Sequence, residues 1–373
     1  MNHLSSEDLR AALVGCAILG CGGGGDLDEA LKYAGKAESE GLEFRLVDLD
    51  ELPPETMVTC TYGVGALTSG APDDRYDHLP LAAEYPAATA VKVLQDHLGV
   101  SFGAILCGEL GALSLIDALF ASAILGLPML DADPAGRAVP EVQHSLLYVH
   151  GIPTLPQALA NEFGETLLAL STVDDFRDEA LVRALAAASR NLIWAADHAA
   201  PLEAVKAAVI PGAIRLAMRV GQAFMSSGSD GADAVAAVAG GRVLFRGRVC
   251  AASTEDRDAF TYGEFTVAGE AVHAGHDLRV WFKNENLMAW RDGEPIAMAP
   301  DLVCVIDEDA RVPVTNPNAR EGMHVAVIGI PAPEQWLTPK ALEVFSPRAF
   351  GFDLDYRPFA ELSADTAGLK EEA

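Results

Sequence analysis

The strongest constraint on this chain is a change of texture near residue 200. Before it, short apolar runs alternate with longer runs of helical period; after it, β-type runs broken by turn signals dominate. In the first half, Ser5 and Asp8 have capping-box spacing ahead of an apolar helix over 9–19. A second helix is expected over 28–37, strands at FRLVDL and MVTCTYG, and a helix over 79–97. FGAILCG then reads as a buried strand, ALSLIDALFASAILG as an apolar helix and PMLDAD as a strand. Strand–helix alternation of this kind predicts an α/β domain with a mostly parallel sheet. Beyond the helix-like AVIPGAIRLAMRVGQAFM come GRVLFRGRVC, FTYGEFTVAG, DLRVWFKNENLMAW, EPIAMAPDLVCVID and HVAVIGI. The expected division is an α/β N-terminal domain over 1–175 and a β-rich C-terminal domain over 176–373. The boundary falls in a charged helical stretch at 170–200.

Composition narrows the function. Half of the 373 residues are hydrophobic, enough for a sizeable core, and 26 basic against 54 acidic residues give a net charge of −28. Such a surface repels nucleic-acid phosphates and anionic lipids. The uncharged stretch 118–130 is too short to span a membrane. The N-terminus lacks the basic region of a signal peptide, and the six cysteines form no CxxC, so reduced thiols in a cytoplasm are expected. Residues 361–373 read as a frayed tail. No Lys or Arg occurs between Lys92 and Arg137, whereas Asp96, Glu109, Asp117, Asp131 and Asp133 all do.

Several segments could carry chemistry. The run GCGGGGD offers Cys21 as a nucleophile, with Gly22, Gly23, Gly24, Gly25 and Asp26 as a binding loop for a carboxylate or oxyanion. It lies between two helices with no GK[ST] after it, so no nucleotide is expected. Glu109 ends a buried strand, where open α/β sheets bind ligands. Asp131 and Asp133 alternate at another strand end, as a polarised water or a divalent metal would require, with His144 as a third candidate ligand. Arg137 could clamp a substrate carboxylate, with Glu141 nearby. Asn284, Glu285 and Asn286 stand in an apolar β run, which implies a buried network or a ligand contact at Asn284 and Asn286.

These motifs share an order. AILGCGGGGD, GELGALS, LPMLDADPAGRAVPEVQ, FKNENLMAW, APDLVCVID and SPRAFGFDLDY together resemble the S-methyl thiohydantoin desulfurase family over residues 9–356. The resemblance implies two domains and a hydrolase that replaces the sulfur substituent of a thiohydantoin propionate with oxygen, releasing a thiol. It also implies a small cyclic substrate and either a homo-oligomer or a hydantoinase-type partner. Residues 63–72, GVGALTSGAP, would line the same pocket. Two routes stay open: attack by Cys21 within the glycine amides, or a water activated by Glu109, Asp131 or Asp133. Activated water is favoured, because thiol attack only exchanges one sulfur leaving group for another. A different class, a non-catalytic subunit, would need an extended apolar surface patch.

Overall fold

The computed structural model describes residues 2–65, 74–257 and 260–362. The first helix, Ser6–Leu19, starts at the expected capping box: the Ser5 hydroxyl accepts from the Asp8 amide and the Asp8 carboxylate accepts from the Ser5 amide. The second, Leu27–Glu40, is capped by Asp26. The helix expected over 79–97 begins at Pro86, since proline fits a first turn but not an interior. Helix Ala112–Leu125 is mostly apolar and buried along most of its length, with Asp117 its one charged residue.

The fold class is the expected one. In the first sheet, strands Arg45–Val47, Met129–Leu130, Ala104–Cys107 and Met57–Gly65 lie side by side in parallel. Antiparallel strands extend it at both sides. Leu192–Pro201 pairs with Met57–Gly65, then Gln157–Ala160 and Thr166–Ala169 follow to the edge. The charged stretch at 170–200 therefore holds a helix, Asp175–Ala187, and then a strand of the first sheet. Polar Asp197 and His198 inside that strand hide its β period.

The second sheet is antiparallel throughout. Its order runs Glu294–Met298, Glu285–Arg291, Asp277–Lys283, Phe260–Gly269, Arg242–Arg257, His324–Ile330, Leu302–Asp307 and Val312–Pro313. Alternation along its strands sorts two cores. Cys304, Ile306, Ala326 and Ile328 pack with helices Ser6–Leu19 and Ala213–Ser226. Val303, Val305, Val325 and Val327 face a separate core with Phe245, Phe265 and Phe282. The N-terminal helices are thus sandwiched between two sheets, and the glycine run after the first helix reaches the C-terminal sheet.

Candidate functional site

A cavity of about 520 Å³ lies beyond the carboxyl ends of Met57–Gly65 and Ala104–Cys107. This is where ligands bind in open α/β sheets. Gly24, Gly25 and Asp26 form one wall, and Asn284, Glu285 and the segment 315–318 close it from the C-terminal sheet. Of the expected lining segment 63–72, Gly63, Val64 and Gly65 line the cavity and residues 66–73 lie outside the described residues.

Two carboxyls define its chemistry. Glu109 leaves its strand end and is held rigidly: one oxygen accepts from the Ser114 hydroxyl at 2.7 Å and the other from the Val139 amide at 2.8 Å. Burial raises its pKa, with those hydrogen bonds opposing. Glu285 follows Asn284, which joins two strands alone with a φ of 57°. Its Oε2 is buried with no hydrogen-bond partner. Burial, then the charge of Glu109, push its carboxyl well above the usual range. Sequence reasoning saw Glu285 only as part of a polar island and gave the ligand role to the flanking asparagines. The signal available was a carboxylate at the centre of that island.

The glycine run is a close-packed junction rather than an open nest. A Cβ on Gly23 would stand 1.9 Å from Glu285 Oε1, and one on Gly24 would stand 2.2 Å from the Cα of Gly111. The Cys21 and Gly22 carbonyls accept from the Asn286 and Asn316 amides, stitching the run to the C-terminal sheet. Cys21 is fully buried and lies off the cavity wall, its Sγ 3.9 Å from Cys304 Sγ. Burial pushes its thiol up, but the Cys304 hydrogen bond and the Arg137 charge outweigh that and leave it lowered.

Other expected residues have different tasks. Asp133 turns back to accept from the Ala135 and Gly136 amides, and burial raises its pKa to about 7. Asp131 accepts from the Ile214 and Arg215 amides and pairs with the Arg215 guanidinium at 2.7 Å. The two aspartates are therefore not a side-by-side pair at the cavity. His144 packs between Phe345 and Phe350, and burial lowers its pKa to about 4. Asp131, Asp133 and His144 do not converge, and no group of three or more metal-ligating side chains occurs among the described residues. Arg137 is no substrate clamp: its buried guanidinium donates to the carbonyls of Ala138, Asp301 and Asn286, bracing the two domains. Glu141 lines the cavity but is paired with Lys283; burial pushes its carboxyl up, and His144, then Lys283 and Gln143, outweigh that and leave it lowered. Asn284 lines it too, its side-chain oxygen accepting from the Thr261 amide. Asn286 is spent on Val303 and Asn316. Asp117, unassigned from sequence, also lines the cavity. Burial raises its carboxyl to about 6 although it accepts from Tyr85 and from Trp194 at 2.8 Å.

Fold and site together define a two-domain protein with a polar cavity where an α/β sheet meets an antiparallel sheet. The chain belongs to the S-Me-THD-like family: its N-terminal domain model matches residues 7–171 and its C-terminal domain model residues 173–359. A crystal structure of a protein from Chromobacterium violaceum is similar to it, with a TM-score of 0.75 at 22% identity, covering 96% of this chain and 100% of that one. At that identity the likeness concerns the fold. No curated protein matches the chain. No helix among the described residues is long and apolar enough to cross a membrane.

Proposed function

We propose that the protein hydrolyses a small cyclic thioamide or amide, with an S-methyl thiohydantoin as the substrate and methanethiol as the leaving group. The observation that carries this reading is that Glu109 and Glu285 line one cavity, the first anchored by two donors and the second with a buried Oε2 that has no hydrogen-bond partner. Two carboxyls whose environments push them apart divide into base and acid. Glu109 takes a proton from water as its oxygen bonds to the ring carbon between the two nitrogens. Neutral Glu285 gives its proton to the ring nitrogen whose double bond opens and regains the one that Glu109 took from water, so both carboxyls end the turnover as they began. The carbon then carries hydroxyl and sulfur, and the C–S bond breaks in the collapse that follows.

Methanethiol release by the purified protein tests this. Glu109→Gln and Glu285→Gln are expected to lose about 10²–10⁴-fold in kcat, the range for a positioned acid or base. Cys21→Ser is expected to keep its rate within about tenfold of wild type, since the thiol lies off the cavity wall. No release by the wild type, with or without added divalent metal, would exclude this substrate. The reverse pattern, with Cys21→Ser inactive and Glu109→Gln active, would restore the thiol route.

A second reading, a subunit that docks a partner protein, is favoured by one observation. Leu167, Leu168, Leu170, Val173 and Phe176 expose large apolar surface along and just after the last strand of the first sheet. Light scattering on the wild type and on Leu168→Lys tests it: a mass that falls in the variant while methanethiol release is unchanged assigns that strip to a partner.

A further inference from the structure

The same cavity reaches a second ionisable group. His198 lines it, together with Cys60, Tyr62 and Glu109. It sits in strand Leu192–Pro201 where pairing with Met57–Gly65 slips: Cys60 faces Asp197, yet Val58 faces Ala200. At this bulge His198 takes a φ of 47°, a left-handed conformation costly for any residue with a Cβ. The bulge lets Asp197 and His198, adjacent in sequence, hold each other. His198 Nδ1 lies 2.6 Å from Asp197 Oδ1. Asp197 Oδ2 accepts from Tyr62 Oη at 2.5 Å and from Gln157 Nε2 at 3.0 Å. The carboxylate is thus fixed by two donors from two other segments, and Nδ1 is its third donor. With the imidazole proton on Nδ1, Nε2 accepts a long hydrogen bond from the buried Thr154 hydroxyl at 3.4 Å, a bond that a reacting group at the cavity would have to displace. Tyr62 also packs against Gly108, where a Cβ would stand 2.8 Å from it, so the tyrosine that holds Asp197 adjoins the residue before Glu109.

A bulged, strained histidine oriented by a buried carboxylate and presented to a cavity is how a proton carrier is built. We infer that Asp197–His198 is the proton carrier for the second half of the reaction, a role that rests on the proposed hydrolysis. That hydrolysis moves protons twice. Addition exchanges one between water, Glu109, Glu285 and the ring nitrogen. Collapse must take the proton from the new hydroxyl as the C–S electron pair leaves with sulfur, and must return one to the departing thiolate. His198 Nε2 accepts the first and donates the same proton to the sulfur. Products are the ring carbonyl and a neutral thiol, and the imidazole ends as it began. Asp197 acts through His198 as a positioning residue.

Two measurements on the intact protein decide this. The first needs no substrate: ¹⁵N NMR of histidine-labelled protein, with the His198 signal assigned by its absence in His198→Gln. Protonated Nδ1 and bare Nε2 are expected; a proton on Nε2 overturns the inference. The second is kinetic. His198→Gly, whose backbone suits a φ of 47°, is expected to lose about 10²–10³-fold in kcat with little change in KM. It should recover with added imidazoles in proportion to their basicity. Full activity in the variant, or rescue indifferent to basicity, overturns the inference, because a space-filling role does not depend on basicity. A wild type that releases no methanethiol rejects the substrate reading instead, and the tautomer measurement then decides the dyad alone.

Discussion

At the scale of single residues, the site depends on what is absent as much as on what is present. Gly23 leaves the volume that the Glu285 carboxylate occupies, and Gly24 lets two backbones meet at Gly111. These positions separate function from stability. Gly23→Ala drives a methyl into a side-chain end that can swing, so the main loss is expected in kcat for methanethiol release while the fold persists. Gly24→Ala meets backbone and combines it with a φ of 71°. We expect it to cost about 1–3 kcal/mol or more in denaturant unfolding. Equal effects of the two on stability would show that Glu285 cannot move. The run of four glycines, expected to hold a carboxylate or oxyanion, instead allows close packing against another backbone and a side chain. The partner it approaches was illegible, because Glu285 and Asn316 lie hundreds of residues away in the chain.

At the scale of elements, the strand ends did most of the positioning. Glu109 was legible because an apolar strand followed by a carboxylate has a known geometric meaning in an α/β sheet. The same logic failed for Asp131 and Asp133. Their strand, Met129–Leu130, ends early, and residues 132–133 turn away to pair with Ile210–Pro211. The two carboxylates were then captured by nearby amides, one by its own turn and one by the start of helix Ala213–Ser226. Arg137 failed as a clamp for a related reason: three carbonyls from two domains converge on it. Only the planar guanidinium fits that fork. Arg137→Lys is expected to lower stability by about 3 kcal/mol in thermal or urea unfolding, since buried carbonyls lose charged donors. Unchanged stability would mean that the domains are held together without it.

For the whole molecule, the buried carboxyls govern the response to pH. Burial raises Asp117 to about 6, Asp133 to about 7, Asp178 to about 6 and Asp301 to about 6. In the unfolded chain such groups ionise near the ordinary aspartate value of about 3.9. Between those limits the fold keeps protons that the unfolded chain has released, so stability falls as pH rises through about 4 to 7. His144 acts oppositely. Its pKa is lowered to about 4, so stability is lost as pH falls below the ordinary histidine value of about 6.5. These four, joined by the raised carboxyls of Glu109 and Glu285, outweigh His144 and predict a higher unfolding midpoint at pH 5.5 than at pH 7.5. A midpoint that drops on acidification over that interval would contradict the placement of these aspartates.

The fold class, the capped first helix and the strand-end position of Glu109 could be read along the chain, whereas the glycine run read as a ligand loop and packs instead against Glu285 and Gly111. The first three are set by local period and capping chemistry, which act over a few residues. The acid-only interval from Lys92 to Arg137 supplies Glu109 and Asp117 to the cavity wall. Long-range packing settled which carboxylates face that cavity and which brace the fold. It also brought Glu285 from the second sheet to the cavity that Glu109 lines, and returned Leu192–Pro201 to the first sheet with His198 on its bulge. These outcomes depend on contacts between distant segments, where burial and the available donors settle the state of each ionisable group.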